Sequence, residues 1–466
     1  MMKRILLIAT AILITATSVL AAPATMRVDY YHTGNDKEER FSLDRIVIEP
    51  LPWAGNLSRS VDKTNLGKYF FEVVDAASGT TLYSRGFASV YGEWETTAEA
   101  QKMNRTFSES LRFPAVDKPA RVSLKKRDNK NGWQEIWTFS LDPKDKFIVK
   151  GVRTPAGPLI KLHQAGDPAM KLDLLILGDG YTVSERAKFE RDARKLMDVM
   201  FTTSPYKERK NDINVWGLSP AAAQAGVSRP STGIYRRSPV GVSYDAFDTE
   251  RYMLTFENKT FRDLAANAPY EVVEIITNTE TYGGGGIFNQ FSTAAANNAW
   301  APYLFIHEFS HHLAALADEY YTSDVAYLSP TEKVEPWEPN VTALLDPANL
   351  KWKDLVKPGT QIPTPWPKED FDKYVIGMQD RRRKIRAENR PEAEMDALFK
   401  EQMAHDIAML NAPGLKGVVG AFEGANYESK GYYRPQTDCI MFTRDAVGFC
   451  AVCRRAIEQI LDLYSR

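Results

Sequence analysis

Residues 306–321 read IHEFSHHLAALADEYY and hold three of the six histidines in the chain. His307 and His311 stand four apart with Glu308 beside the first, an HExxH pattern. On a helix, residues four apart lie one turn above each other on one face, so the two imidazoles can converge on one ion. Glu308, about 100° further round the helix, can reach a water beside that ion and take its proton. Imidazole and carboxylate ligands with one open position suit zinc, which makes one Zn2+ the expected cofactor. The preceding WAPYLFI, residues 300–306, is bulky and apolar, as a buried helix requires. His312 points about 100° away from His311 and is read as structural.

A catalytic zinc usually takes three protein ligands. Asp318 and Glu319 follow His307 by eleven and twelve residues. On a continuous helix Asp318 would share the face of His307 but lie about 16 Å along it, at 1.5 Å per residue. The chain must therefore turn back after His311, yet HLAALAD contains no glycine or proline to ease the turn. Asp318 is the preferred third ligand, with Glu319 or a more distant carboxylate as alternatives.

Outward from this stretch the chain changes character twice. From about Met26 to Lys150 it reads as strands: KYFFEVVDAASGTTLYSRGFASV, residues 68–90, carries two β-rich runs around a turn, and ARVSLKKRD with QEIWTFSL forms another pair. An all-β accessory domain, a β-sandwich over 22–155, is expected. After the Pro/Gly-rich GVRTPAGP, residues 151–158, the run LDLLILGDGYT has the continuous apolarity of a strand buried on both faces. Thr182 and Glu185 offer a capping box to a helix whose apolar stripe is Phe189, Ala193, Leu196, Met197 and Met200. With DINVWGLSP and YEVVEIITNT as further strands, strands and helices alternate in an α/β arrangement over 165–466. The four glycines of TYGGGGIFNQFSTAAANN, residues 281–298, lack the Lys-Ser/Thr of a phosphate loop and read as a turn into an edge strand. Such an edge, if it lined a cleft, could pair with an extended peptide. A Pro- and charge-rich insertion spans about 329–415, where the basic cluster 381–386 reads as a solvated helix face and His405 as an ordinary polar-face histidine.

With 44% apolar and 26% charged residues the 466-residue chain is globular in composition and long enough for two or three domains. Its 59 basic and 60 acidic residues nearly cancel, which argues against a nucleic-acid partner. Lys3 and Arg4, an apolar run from Ile5 and small residues around Val19–Ala21 form the pattern of a signal peptide over 1–21. The mature protein is expected to be exported, periplasmic or extracellular, with no membrane span after signal removal. The three cysteines, Cys439, Cys450 and Cys453, crowd near the C-terminus. The CxxC shows no nearby fourth ligand for a thiolate zinc site, so a local disulfide with one odd thiol, or buried thiols, is expected.

Several separate stretches together resemble the IgA-peptidase family of secreted bacterial zinc metallopeptidases, a metzincin-like group: LILGDGYT, TYGGGG, HEFSHHLAALADEYY, EPNVT and GYYRPQTDCIMF…FCAVC. The resemblance covers most of residues 170–466. It implies a multidomain α+β and α/β fold, with an N-terminal β-domain and a metzincin-like catalytic domain whose mixed sheet carries the active-site helix. It further implies His307, His311 and Asp318 as ligands, Glu308 as general base and Met441 in DCIMF as a methionine turn beneath the metal. The family motif tends to have glycine where this chain has Ser310 and Ala315, and Ala315 falls where the chain must turn. The expected activity is hydrolysis of peptide bonds in protein substrates, host or dietary glycoproteins among them, without IgA specificity following from the motif. Tyr320, Tyr321, Tyr432 and Tyr433 are candidates to steady the transition state, Tyr433 and Tyr320 foremost. The alternatives are a zinc hydrolase of another bond and a catalytically silent relative that binds host protein or glycan, against which the intact Glu308 argues.

Overall fold

The computed structural model describes residues 22–151, 153–329, 332–445 and 447–465. The expected signal peptide, 1–21, lies outside the described residues.

The N-terminal region is β-rich. Its strands are β1 (Ala24–Gly34), β2 (Glu39–Pro52), β3 (Tyr69–Asp75), β4 (Thr81–Phe87), β5 (Arg105–Pro114), β6 (Ala120–Arg127), β7 (Trp133–Leu141) and β8 (Val149–Lys150), with one short helix, α1 (Val90–Trp94). They form two four-stranded sheets, ordered β5-β1-β2-β8 and β4-β3-β6-β7. Alternation explains why the sheets face each other: Met26, Val28 and Tyr30 of β1 join Phe71 and Val73 of β3 in one apolar core. Both hairpins legible in the sequence form, β3 with β4 and β6 with β7.

The following region is built on a six-stranded mixed sheet. Its strands are β9 (Ile160–His163), β10 (Leu172–Asp179), β11 (Ile213–Leu218), β14 (Val272–Thr277), β15 (Gly284–Ile287) and β16 (Phe291–Ala295), while β12 (Val242–Ser243) and β13 (Leu254–Thr255) pair separately. The order is β15-β16-β14-β10-β11-β9. β10 runs parallel to β11 and β14, and the edge strands β9 and β15 are antiparallel to their neighbours. Every residue of β10 is buried, which is why its sequence lacks alternation. Helix α2 (Arg186–Met200) buries the five apolar positions its periodicity picks out, and Glu185 takes the Thr182 backbone N–H at 3.0 Å. Helix α3 (Asn258–Ala265) faces the N-terminal sheets: Arg27 and Arg45 both donate to Asp263, Arg27 being wholly buried and also paired with Asp29 at 2.9 Å. A buried cation held by three carboxylates, Asp29, Glu49 and Asp263, ties the two regions together.

Helix α4 (Ala301–Ala314) lies on the β15–β16 end of the sheet, between α2 and the C-terminal helix α7 (Ala451–Ser465). Farther along the chain, α5 (Lys368–Ala387) packs against α6 (Glu392–Leu410), and the hairpin β17 (Phe422–Ala425) and β18 (Glu428–Arg434) follows. The basic cluster is only partly a solvated face: Arg381 and Arg383 are exposed and paired, but Arg382 is buried against the rings of Tyr282 and Phe399. Helix pairing turns that position inward. His405 stacks on Tyr374. Among the described residues no helix is long and apolar enough to cross a membrane.

Candidate metal centre

Helix α4 starts with Pro302 in its first turn and ends at Ala315, which adopts the left-handed conformation at φ 56° and ψ 30°. The chain therefore reverses where the sequence reading required it, on an alanine rather than a glycine. Asn340, in EPNVT, fixes the returning segment: its amide accepts from Ala317 N–H at 2.8 Å and donates to Ala317 O at 2.9 Å.

This reversal brings Asp318 onto the two imidazoles. Its Oδ1 lies 3.0 Å from His307 Nε2 and 3.3 Å from His311 Nε2, and the two Nε2 atoms are 3.1 Å apart. Each ring is fixed from behind, because a carbonyl can only accept: His307 Nδ1 donates to Ile440 O at 2.9 Å, and His311 Nδ1 to Leu316 O at 2.5 Å. The neutral rings must then carry their lone pairs on Nε2, pointing at Asp318. Tyr427 donates to Asp318 Oδ2 at 2.6 Å, while the buried Oδ1 receives no hydrogen bond. Three lone-pair-bearing atoms facing one another repel unless a proton or cation lies between them. The spacing fits a tetrahedral zinc, whose N and O ligands about 2.05 Å from the ion stand about 3.3 Å apart. In the absence of an ion, burial disfavours the His311 imidazolium, but Asp318 outweighs burial and raises its pKa to about 9. Burial works against the Asp318 carboxylate as well, and the two histidines hold its pKa well below the usual range.

Glu308 is buried on the same helix and lines a cleft of about 400 Å³ with His311, Asp318 and Tyr320. Burial pushes its carboxyl pKa up, and the neighbouring imidazoles partly counter this. The glycine run explains how the helix gets so close to the sheet. A Cβ on Gly284 would stand 2.8 Å from Glu308 Cγ, and one on Gly286 would meet the Glu308 carbonyl and His311 Cβ. The run forms the edge strand β15, as expected, and Gly284 and Gly286 line the cleft. At Gly284 the outer edge is already taken: Met253 N–H donates to its carbonyl and its own N–H donates to Arg251 O, both at 3.1 Å.

Of the other expected site residues, Tyr320 reaches the cleft, its hydroxyl accepting from Arg251 at 3.1 Å. Tyr433 does not line the cleft: its backbone pairs with Thr342 and its ring faces Lys333. Tyr321 binds Asp372 and Tyr432 binds Val334 O. Met441 is fully buried, and its carbonyl accepts from Glu319 N–H at 2.8 Å. His312 is structural, since its Nδ1 donates to Ile287 O and its Nε2 accepts from Val273 N–H, which ties α4 to β15 and β14. Burial drops its pKa to about 3, so it stays neutral. Glu319, the alternative third ligand, points away from the two histidines and towards the cysteines. All three cysteines are free and buried, the buried-thiol alternative of the two expected, and no disulfide joins them.

Sequence reading missed Tyr427, Arg251 and the N-terminal contribution. Lys68 and Glu93 of the β-rich region line the same cleft, and nothing near them in sequence marks that role. Tyr427 follows a Pro- and charge-rich stretch and carries no motif of its own; only the fold brings it to Asp318.

A sequence profile of the family described as IgA Peptidase M64 matches residues 160–461, and one described as Peptidase M64 N-terminus matches residues 19–138. No curated protein matches the chain.

Proposed function

The chain belongs to the IgA peptidase M64 family, and from that premise we propose that it is an exported zinc metalloendopeptidase of metzincin-like build. The observation that carries this reading is the convergence of His307 Nε2, His311 Nε2 and Asp318 Oδ1 beside the buried Glu308. Membership of a peptidase family makes polypeptide the substrate class, and the cleft beside Glu308 is its place. Export rests on the sequence of residues 1–21 alone.

Zinc held by these three residues would supply Lewis acidity, polarising a carbonyl and acidifying a water. Glu308 accepts the proton of the attacking water on its carboxylate and returns it to the leaving amine. Its buried setting favours the proton-carrying form midway through that cycle, since burial raises its pKa. Tyr427 orients Asp318 and the carbonyls of Ile440 and Leu316 orient the imidazoles, so the ligand atoms need little reorganisation. Tyr320, held by Arg251, stands at the cleft as a donor for the developing oxyanion. Met441 is the methionine-turn residue, its segment joined to the site through Ile440 O.

Metal analysis combined with cleavage mapping on a peptide library tests the reading. Zinc-dependent endoproteolysis that is lost on chelation and restored by zinc supports it; a metal-free chain that cleaves no peptide contradicts it.

A further inference from the structure

We propose that the chain holds a second, closed zinc site made by Cys439, Cys450, Cys453 and Glu319, distinct from the site at His307. The four residues come from three places in the sequence: the return segment after α4, the segment before Met441, and the turn into α7 with its first residues. All four are buried, and one potential ligand atom from each lies within 4.8 Å of the others. Zinc–sulfur bonds of about 2.3 Å in a tetrahedron place sulfurs about 3.8 Å apart, and a mixed sulfur–oxygen edge measures about 3.5 Å. Cys439 Sγ and Cys453 Sγ are 3.8 Å apart, and Glu319 Oε1 lies 3.2 Å from Cys453 Sγ and 3.9 Å from Cys450 Sγ.

The surroundings suit thiolates. The backbone N–H of Cys450 points at Cys439 Sγ at 3.3 Å, and that of Cys453 at Cys450 Sγ at 3.4 Å. Asn340 donates to Glu319 Oε1 at 3.0 Å, leaving the buried Oε2 with no hydrogen-bond partner. Such outer contacts orient metal ligands. The guanidinium of Arg434, fully buried, lies close enough to Glu319 to interact electrostatically and offset the negative charge of a Cys₃Glu set. A disulfide would use only two of the three thiols, whereas a tetrahedral ion uses all of them and the carboxylate. Four protein ligands leave no open position, which marks the site as structural, and borderline-soft zinc suits sulfur and oxygen together.

The placement gives the ion a consequence for the other site. Glu319 follows Asp318 directly, and Cys439 precedes Ile440, whose carbonyl holds His307. One ion would therefore clamp both chain segments that set the candidate catalytic ligands.

The test is zinc content by inductively coupled plasma mass spectrometry, on the full chain and on a His307→Ala/His311→Ala variant. Two equivalents in the native chain and one retained in the histidine variant are expected, the latter lost when Cys439→Ser and Cys453→Ser are added. Should the cysteine changes prevent folding, cobalt substitution of the histidine variant decides: thiolate-to-cobalt charge-transfer absorption in the near ultraviolet supports the site. A histidine variant with neither zinc nor cobalt–thiolate bands overturns the proposal, as does a peptide map joining two of the cysteines by a disulfide. Metal kept by the histidine variant cannot sit at His307 and His311, so the result is read independently of the peptidase reading.

Discussion

Tyr427 donates its hydroxyl to Oδ2 of Asp318 at 2.6 Å, across 109 residues of chain. It leaves Oδ1 as the atom facing both imidazoles. Partners of this kind typically change metal affinity by about 10–100-fold. Tyr427→Phe is therefore expected to weaken zinc binding by roughly that factor with little change in Tm, measured by competition with a chelator. Unchanged affinity would show that Asp318 is oriented without it.

Ala315 pays for the reversal after α4 with a left-handed backbone, φ 56°. That conformation costs a non-glycine residue about 1–2 kcal/mol, part of which glycine's extra unfolded-state entropy would return. Ala315→Gly should stabilise the fold by roughly 0.5–1 kcal/mol, seen as a higher urea midpoint at unchanged slope. A lower midpoint would mean that the Ala315 side chain contributes more by packing than its backbone costs.

Gly286 faces the opposite demand. A Cβ there would meet the Glu308 carbonyl and His311 Cβ, so helix and strand must part. Gly286→Ala should destabilise by about 1–3 kcal/mol and weaken zinc binding through His311. Native zinc affinity and stability together would show that α4 can move without cost.

Asp173 is buried on β10 beside Glu271. Burial raises its pKa to about 7, against the pull of hydrogen bonds from Trp216 and Asn214. A carboxyl whose folded pKa lies above its unfolded value of about 3.9 binds a proton on folding. Its penalty is absent below about pH 4, grows towards pH 7 and is complete above it. Asp173→Asn should thus raise Tm at pH 8 and leave it nearly unchanged at pH 4, followed by calorimetry. An equal effect at both values would rule out titration of this group as the cause.

How much of the molecule is legible in sequence follows from how local each feature is. The two candidate ligands on α4 are spaced by helix geometry alone, and the buried strand β10 announces itself by continuous apolarity. The α/β alternation around the central sheet and the two facing N-terminal sheets also follow from patterning. The missing glycine marks position 315, and the reversal does occur there. Tyr427, Arg251 and Glu93 are not legible, because each reaches the cleft from a distant segment and none belongs to a spaced motif. Glu319 next to the cysteines is invisible for the same reason: it lies 120 residues before Cys439, in a motif that directs attention to Asp318. The inward turn of Arg382 depends on the pairing of α5 and α6 rather than on its own run of charge.

The central claim is that Glu308 moves the proton at a zinc site made by His307, His311 and Asp318. Glu308→Gln keeps the shape of the side chain and removes its basicity. Zinc content measured beside the cleavage rate of a mapped peptide tests this most directly. The account predicts native zinc content with a rate lowered by about 10²–10⁴-fold, the usual contribution of a positioned base. Native zinc content with a native rate would contradict it.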